Sequence, residues 1–302
     1  MGHTPSPSLK GRFSKIGLGC GTFGREIDEA GAFAMMDYAW ANQITHFDTA
    51  EAYGRPAGAS ERIIGAWLAS RRPKPESMLL ATKLLPPYAA DRVEASVTQS
   101  LQRLGRESVD LVYFHGWDEG AADPGVLAVL DRLVRSGRVG ALGASNFTAE
   151  QLARVLRIQD EAGWARLKAL QNNNNFAVRD IDEPLRQLCA REDVAIVTYS
   201  PLGAGFLTGK HKQAVAPGSR FDIVPGHQDV YFNDLSRSRL TELEGIAART
   251  GQSAVHLAFA WALSQPGIDC VLAGGRTPAQ IDQARRGQAL DAKAIFGGAA
   301  KG

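Results

Sequence analysis

Short apolar runs alternate with longer amphipathic segments along nearly the whole chain, and this alternation constrains the fold more than any other feature. Eight of the runs have the length and composition of buried strands. They are Lys15–Gly19, Thr45–Asp48, Met78–Thr82, Val109–Phe114, Val139–Ala144, Ala169–Asn172, Val194–Tyr199 and Cys270–Ala273. Because helical patterns separate these runs, a parallel sheet is favoured. Eight strand–helix units close a barrel, so the sequence predicts an α/β protein with the (β/α)8 TIM barrel fold.

Two segments remain outside a barrel of typical size, since the chain has 302 residues and such barrels have about 250. One is a short N-terminal extension that precedes Lys15, and the other is a long loop insertion after strand 7, roughly Leu202–Leu235. A loop of this length in a compact domain is usually functional. Helices are predicted to resume at Leu240–Arg249. No linker-like stretch divides the sequence, so a single domain over residues 1–302 is expected.

Charge and cysteine content exclude several classes of partner. The formal net charge is +2, from 34 basic and 32 acidic residues, and no basic stripe is present, so a nucleic-acid partner is not expected. The three cysteines are far apart and match no disulfide or zinc spacing, so no metal is expected. No signal-like or membrane-length apolar run is present, which predicts a cytoplasmic protein without a membrane partner. The sequence gives no indication of the oligomeric state.

Polar residues with complementary chemistry follow three consecutive predicted strands. The stretch HFDTAEAYG places Asp48 and Tyr53 after the second strand, and Lys83 and His115 follow the third and fourth. In this fold the C-terminal strand ends meet at the catalytic face. An ammonium lowers the pKa of a nearby tyrosine, and a carboxylate can hold that ammonium in place. The pattern therefore favours carbonyl reduction, with Tyr53 as general acid, Lys83 and Asp48 as its tuning pair, and His115 either orienting the carbonyl oxygen or sharing in the proton transfer.

Each of these four residues also has a purely structural interpretation. Asp48 could cap a turn, Tyr53 could be a loop aromatic, Lys83 could point into solvent, and His115 could be a hydrogen-bonded core residue. Four such residues at three adjacent strand ends are much less expected by chance than any one of them alone.

Several motifs in the same order as in a known family extend this interpretation. They are GLGCGTFG (17–24), FDTAEAYG (47–54), ATK (81–83), YFHGWD (113–118), GASNF (143–147), YSPLGAGFLTGK (199–210), PGSRF (217–221) and AGGRTPAQID (273–282). The sequence thereby resembles the aldo-keto reductase family, in particular its bacterial-type and potassium-channel β-subunit-like branch. The resemblance implies a (β/α)8 barrel, NADP(H) and the catalytic set Asp48, Tyr53, Lys83 and His115.

The resemblance also implies positions for the cofactor. Ser145, Asn146 and Gln171 would meet the nicotinamide amide, and the ring of Tyr199 would stack on the nicotinamide. Ser200, Leu202 and Gly203 would lie near the pyrophosphate. Arg276 would bind the 2′-phosphate, with Thr277 beside it and Gln280 near the adenine. Further cofactor positions implied are Gly21, Thr22, Phe23, Asp48, Pro201, Gly205, Lys210, Arg220 and Gly275.

Some residues depart from the family pattern. Asn174 stands where many relatives carry a tyrosine, and Gly116 and Trp117 replace the more usual Trp-Pro order. Gln283 and Ala284 stand where many relatives have Glu and Asn, which weakens the expected NADP preference and brings NAD(H) in as a second cofactor. On spacing alone, Phe23, Tyr88, Trp117 and Tyr231 are candidate walls of a pocket for a small carbonyl or alcohol, including sugar-derived ones.

Three other functions compete with this one. Residues 19–24, GCGTFG, imitate a dinucleotide-binding fingerprint, but the next helical pattern starts too late and the hypothesis leaves Tyr53, Lys83 and His115 unused. An NADP(H)-binding redox sensor with little turnover would keep the same four residues. A Schiff-base enzyme would need an unpaired, desolvated Lys83, which a neighbouring Asp48 opposes.

Overall fold

Eight parallel strands close into a barrel in chain order, and the first strand pairs with the last. The computed structural model describes residues 8–212 and 214–297. The strands are β1 (Ile16–Gly19), β2 (His46–Asp48), β3 (Leu79–Leu84), β4 (Val109–Phe114), β5 (Val139–Ser145), β6 (Leu167–Asn173), β7 (Ala195–Tyr199) and β8 (Ile268–Ala273). The predicted (β/α)8 TIM barrel is confirmed. The start of the predicted N-terminal extension, one position of the insertion and the end of the predicted 1–302 domain lie outside the described residues.

Helices surround the barrel and begin where the sequence offers caps. They are α1 (Glu29–Ala41), α2 (Ala59–Arg71), α3 (Ala90–Leu104), α4 (Pro124–Arg135), α5 (Ala149–Ala162), α6 (Glu183–Arg191), α7 (Arg220–Ile223), α8 (His227–Tyr231), α9 (Asp234–Thr250), α10 (Ala254–Ser264), α11 (Pro278–Gln288) and α12 (Ala292–Phe296). The clearest cap is at α5, where Thr148 and Gln151 form a reciprocal capping box. Short 3-10 helices cover Pro75–Ser77, Glu119–Ala122 and Gly203–Thr208.

Apolar side chains form two separate layers. The larger one fills the space between the strands and the helices, and the smaller one fills the interior of the barrel. Leu9 and Phe13, from the described part of the N-terminal extension, belong to the interior layer and are buried. The Phe13 ring meets the edge of the His46 ring with centroids 4.9 Å apart. His46 begins β2, so this segment closes the N-terminal end of the barrel and leaves the opposite end for chemistry.

The insertion after β7 contains more regular structure than a loop. A 3-10 helix, α7 and α8 lie within it, and α9 begins at Asp234, six residues before the predicted start at Leu240. The Oδ1 atom of Asn233 caps α9 by accepting from the Ser236 N–H at 2.9 Å. The first turns of α9, DLSRSR, are polar and exposed on most sides, so apolar periodicity could not reveal them.

The sequence predicts neither a membrane span nor a metal centre. Among the described residues, no helix combines the length and the apolar composition needed to cross a bilayer. The same part of the chain contains no group of three His, Cys, Asp or Glu residues arranged to hold a metal ion.

Candidate active site

A cavity of about 790 Å3 opens at the C-terminal ends of the strands. Every strand except β3 contributes lining residues at or just beyond its end. Asp48, Tyr53 and His115 line one part of the cavity, and Arg276 and Gln280 belong to the part beside α11. The cavity therefore lies on the face where this fold places its chemistry.

A buried ion pair forms the floor of the cavity. Nζ of Lys83 donates to Oδ1 of Asp48 and, at 2.8 Å, to the carbonyl oxygen of Thr49. Nε2 of Gln171 donates to the other carboxylate oxygen of Asp48 at 2.8 Å. Lys83 is completely buried and belongs to β3 itself, one residue beyond the predicted end of that strand. Because each charge has hydrogen-bond partners, the pair is held rigidly, whereas removing one partner would strand the other charge.

Tyr53 stands over this pair on a tight turn. Nζ of Lys83 lies 5.1 Å from the centroid of the Tyr53 ring. The next residue, Gly54, has φ of +96°, and a Cβ there would lie 2.5 Å from the Cβ of Ala59, so the turn requires glycine. Burial raises the pKa of Tyr53 above its usual value, and the Lys83 charge partly opposes that rise. The expected lowering by Lys83 is thus present but outweighed, and the phenol stays protonated at neutral pH.

Lys83 stays charged in this setting. Burial alone would lower the pKa of Lys83, but Asp48 and Tyr53 raise it, and the pKa lies above its usual value. A Schiff-base enzyme needs a neutral amine. The paired and protonated Lys83 therefore disfavours that alternative.

His115 completes the group at the end of β4. Its ring meets the Tyr53 ring edge-on, with centroids 5.6 Å apart. Burial, reinforced by the Lys83 charge, lowers the pKa of His115 to about 4. The imidazole is therefore neutral at neutral pH and can donate one hydrogen bond without adding a charge.

A hydrogen-bonded network joins the ends of β5, β6 and β7. The hydroxyl of Ser145 donates to the backbone oxygen of Gln171 at 2.7 Å, and Nδ2 of Asn146 donates to the backbone oxygen of His115 at 3.0 Å. The hydroxyl of Tyr199 donates to Oδ1 of Asn146 at 2.7 Å. Asn146 adopts φ of +59°, which asparagine tolerates better than most residues. These side chains are held in place before any ligand arrives.

Cations and an unpaired hydroxyl line the part of the cavity formed by the insertion. Lys210 and Arg220 lie in the lining, and so does Ser219, whose buried Oγ has no hydrogen-bond partner within residues 8–212 and 214–297. Gly205 also lines this part with φ of +97°. An orphaned hydroxyl beside two cations fits an anionic group such as a pyrophosphate. The residues present therefore suit the phosphate groups of a dinucleotide.

Two contacts hold the insertion across the cavity. The buried carboxylate of Glu26 accepts from Arg25 at 2.8 Å and from Arg220 at 2.7 Å. Arg276 donates to the backbone oxygen of Gly218 at 2.6 Å. Beside these contacts, the Thr22 hydroxyl donates to the backbone oxygen of Gly275 at 2.8 Å. The loop after β1 thus contacts both the insertion and the loop after β8.

Most residues proposed for the cofactor lie in the lining of this cavity. Those that do are Gly21, Thr22, Asp48, Ser145, Asn146, Gln171, Tyr199, Ser200, Pro201, Leu202, Gly205, Lys210, Arg220, Gly275, Arg276 and Gln280. Phe23, Gly203 and Thr277 are not among the lining residues; Phe23 is fully buried in the core, and Gly203 packs against Tyr231. Lys83 is hidden beneath the lining, where it can act only through its neighbours.

The four residues predicted to wall the substrate pocket lie outside the lining of this cavity. Tyr88 is buried, and its hydroxyl donates to the backbone oxygen of Gly116 at 2.9 Å. Trp117 packs edge-on against Phe147. Tyr231, also buried, bonds through its hydroxyl to Asn173 and Asn175 at 3.1 Å, so it anchors α8 of the insertion to the end of β6. With Phe23 in the core, none of the four lines the cavity.

Several lining residues escaped the sequence interpretation. They include Cys20, Glu26, Ala204, Thr208, Ser219, His227, Val255, Phe259, Leu272 and Ala279. Ser219 lies inside the motif PGSRF and Cys20 inside GLGCGTFG, so those two motifs carried a signal. Glu26 lies in an irregular segment after β1, His227 begins the short helix α8, and no local sequence pattern marks either residue.

Comparison with known proteins agrees with the fold. A model of the aldo/keto reductase family matches residues 15–289, which include all eight strands and the whole cavity lining. Protein tas of Escherichia coli is 29% identical over 92% of this chain and 89% of its own length. Aldo-keto reductase YhdN of Bacillus subtilis is 30% identical over 89% of this chain and 83% of its own length. Norsolorinic acid reductase B of Dothistroma septosporum is 28% identical over 90% of this chain and 73% of its own length.

Proposed function

The chain belongs to the aldo/keto reductase family, and from this premise we propose that it reduces an aldehyde or a ketone to an alcohol with NADP(H). Family membership supports an oxidoreductase acting on carbonyl groups in general. The cofactor preference, the role of Tyr53 and the nature of the carbonyl compound are the finer parts of the proposal. Each of them rests on a separate feature of the cavity.

The observation that carries the reaction is the buried Asp48–Lys83 pair beneath Tyr53. Burial keeps the Tyr53 phenol protonated, and the Lys83 charge stabilises the phenolate that proton donation leaves behind. When bound, the nicotinamide supplies the hydride. Tyr53 donates the proton to the oxygen that becomes the hydroxyl group. The neutral His115 stands beside Tyr53 and orients the carbonyl oxygen by a hydrogen bond.

The cofactor preference rests on charge. Arg276 at the α11 end would pair with a 2′-phosphate, while Lys210, Arg220 and the Ser219 hydroxyl would hold the pyrophosphate. Ser145, Asn146 and Gln171 would fix the nicotinamide amide, and Tyr199 would cover its ring. Gln283, which stands where many relatives have Glu, is bonded to His256 at 2.7 Å and adds no support for the 2′-phosphate, so the preference rests on Arg276. NADP(H) is therefore preferred, with NAD(H) as a weaker second cofactor.

The substrate class rests on what lines the cavity. The four aromatic side chains expected to wall it are absent from the lining, and Thr22, Asn146 and His227 are present. Apolar residues such as Leu202, Phe259 and Leu272 line the cavity as well, so the lining supports a small carbonyl compound, including sugar-derived aldehydes, without selecting polar over apolar substrates.

The first test is a fluorescence titration of the purified protein with NADPH and with NADH. It is followed by absorbance decay of NADPH in the presence of hydroxylated, aliphatic and aromatic aldehydes. We expect tighter binding of NADPH than of NADH, and turnover with at least one of these classes of aldehyde. Tight binding without turnover on any aldehyde would favour an NADP(H)-binding redox sensor instead. Failure to bind either cofactor would refute both functions.

A further inference from the structure

One large side chain occupies the barrel interior directly beneath the catalytic group. Tyr113 on β4 is fully buried and belongs to the interior apolar layer. The members of that layer on the adjoining strands are Leu79 and Ala81 on β3 and Ala141 on β5, and both alanines are strand partners of Leu111. In the β3–β4 pairing Tyr113 is the partner of Lys83. The phenol ring therefore lies in the barrel interior at the level of Lys83.

The chain makes room for this ring at a specific position. A Cβ added to Gly143 on β5 would lie 2.5 Å from two carbon atoms of the Tyr113 ring. Gly143 is the strand partner of Tyr113. A side chain at Gly143 would therefore displace the ring, so the two residues depend on each other.

The ring of Tyr113 also faces the charged end of Lys83. Nζ of Lys83 lies 5.9 Å from the centroid of the Tyr113 ring and 5.1 Å from that of Tyr53. Both distances are within the range of cation–π attraction, which strengthens where water is excluded. The ammonium is thus flanked by two aromatic rings, while Asp48 and the Thr49 carbonyl accept its hydrogen bonds.

We propose that Tyr113 is a positioning residue for the reduction reaction: its ring holds the Lys83 ammonium against Tyr53 and keeps water out of the barrel interior beneath the pair. The inference rests on the proposed carbonyl reduction. Tyr113 does not line the cavity, so it acts only through Lys83. Without the ring, only Asp48 and the Thr49 carbonyl hold the ammonium, which can then shift toward the vacated space and stabilise the Tyr53 phenolate less well.

The effect should be visible in the pH profile, because several ionisable groups set the acidity of Tyr53. Those that face it are Lys83 and Asp48, with His115 beside its ring and Cys20 and Tyr199 nearby. The Tyr113 hydroxyl is buried without a hydrogen-bond partner among the described residues, and burial, followed by Asp48 and Cys270, raises the pKa of Tyr113. Of all these groups, Lys83 is the one that lowers the pKa of Tyr53. If Lys83 moves away, the pKa of Tyr53 rises, so the alkaline limb of the reduction rate moves to higher pH.

The experiment compares Tyr113→Leu, Tyr113→Phe and Leu111→Ala with the wild type, using NADPH and the best aldehyde substrate. Leu111 is a fully buried member of the same interior layer, two residues earlier on β4, and serves as a control for cavity formation. We expect Tyr113→Leu to lower kcat about tenfold, the loss of a cation–π contact of moderate strength. Its alkaline limb should move upward while the KM for NADPH stays unchanged. Tyr113→Phe keeps the ring, so its kcat and alkaline limb should match those of the wild type. Leu111→Ala should change stability only.

A second variant protects the test if Tyr113→Leu does not fold. Gly143→Ala displaces the ring without removing it, and it should move kcat and the alkaline limb in the same direction. A wild-type kcat and pH profile in both variants would overturn the inference, as would an equal shift in Leu111→Ala. If the wild-type protein itself reduces no aldehyde, the proposed function fails instead, which the wild-type assay in the same series shows separately.

Discussion

The two parts of the cavity are built on opposite physical principles. In the part around Tyr53, the charged residues Asp48 and Lys83 lie on strands, and their side chains are only 3% and 1% exposed. In the part formed by the insertion and the β8 loop, Arg276 is exposed and Arg220 is 29% exposed. The first part is pre-organised, and the second is held together by loop contacts that a ligand can replace. In the proposed function, the buried strand ends therefore carry out the chemistry, and the exposed loops determine the affinity for the cofactor.

This difference has an energetic consequence. A buried pair costs several kcal/mol to break because the remaining charge has no water. An exposed ion pair contributes about 1 kcal/mol or less. Substitutions around Tyr53 should therefore change kcat and stability strongly, whereas substitutions around Arg276 should change the affinity for the cofactor. The predictions below test whether the two parts are separable in this way.

The largest effect is expected for Tyr53→Phe. This variant keeps the ring above Lys83 but removes the proton donor, so kcat for aldehyde reduction should fall about 10²- to 10⁴-fold. The dissociation constant for NADPH, measured by fluorescence titration, should change little. Tyr38→Phe is the matched control, because the Tyr38 hydroxyl bonds to Asp282 at the protein surface, 2.6 Å away. Substantial activity in Tyr53→Phe would show that another group donates the proton.

Arg276→Ala should produce the next largest effect, on the other part of the cavity. Losing a charge-assisted pair with the 2′-phosphate should weaken NADPH binding roughly 10- to 100-fold. NADH lacks that phosphate, so its binding should change only slightly, and kcat at saturating cofactor should remain close to that of the wild type. Titrations with both cofactors measure the difference.

Arg286→Ala is the control for Arg276→Ala. Arg286 belongs to the same helix, α11, but pairs with Asp282 at 2.7 Å and does not line the cavity. Equal losses of NADPH and NADH affinity in Arg276→Ala would mean that Arg276 does not bind the 2′-phosphate. A large fall in kcat would mean that the two parts of the cavity are not separable.

The same contrast explains what the sequence could predict. Asp48, Tyr53, Lys83 and His115 could be placed together because the strand ends of a parallel barrel meet at one face, and apolar runs mark those ends. The positions of Tyr88 and Tyr231 could not be predicted, because the side to which a loop side chain turns depends on distant partners. Tyr231 turns inward to Asn173 and Asn175, which lie more than 50 residues earlier.

The insertion shows the same limit. Its composition of Gly, Pro and polar residues predicted a loop, yet α8 and the start of α9 are helical. These helices are stabilised by tertiary contacts, such as the stacked rings of Phe206 and Tyr231 with centroids 6.0 Å apart. Short helices of this kind depend on packing more than on local propensity. Glu26, which contacts Arg220 across nearly 200 residues, was missed for the same reason.

The smallest effect concerns stability and pH, and it should separate the two parts once more. The pKa of His115 is about 4 in the folded protein and about 6.5 in an unfolded chain. Between these values the unfolded state binds the proton more readily, so this group contributes stability near pH 7.5 that is lost as the pH falls. At pH 5.5 the loss should be about 1 kcal/mol. The His115→Gln variant lacks the imidazole and should not lose this stability. The unfolding free energy of the wild type should therefore fall relative to that of the variant, by about 1 kcal/mol, as the pH is lowered from 7.5 to 5.5. Denaturant titrations at both pH values measure this change. The cost of the substitution itself cancels, as do the contributions of the other histidines.

Arg276→Ala is the control and should keep the wild-type pH dependence, because the charge of Arg276 lies in the exposed part. A pH dependence that His115→Gln leaves intact would show that the buried part does not hold this imidazole neutral.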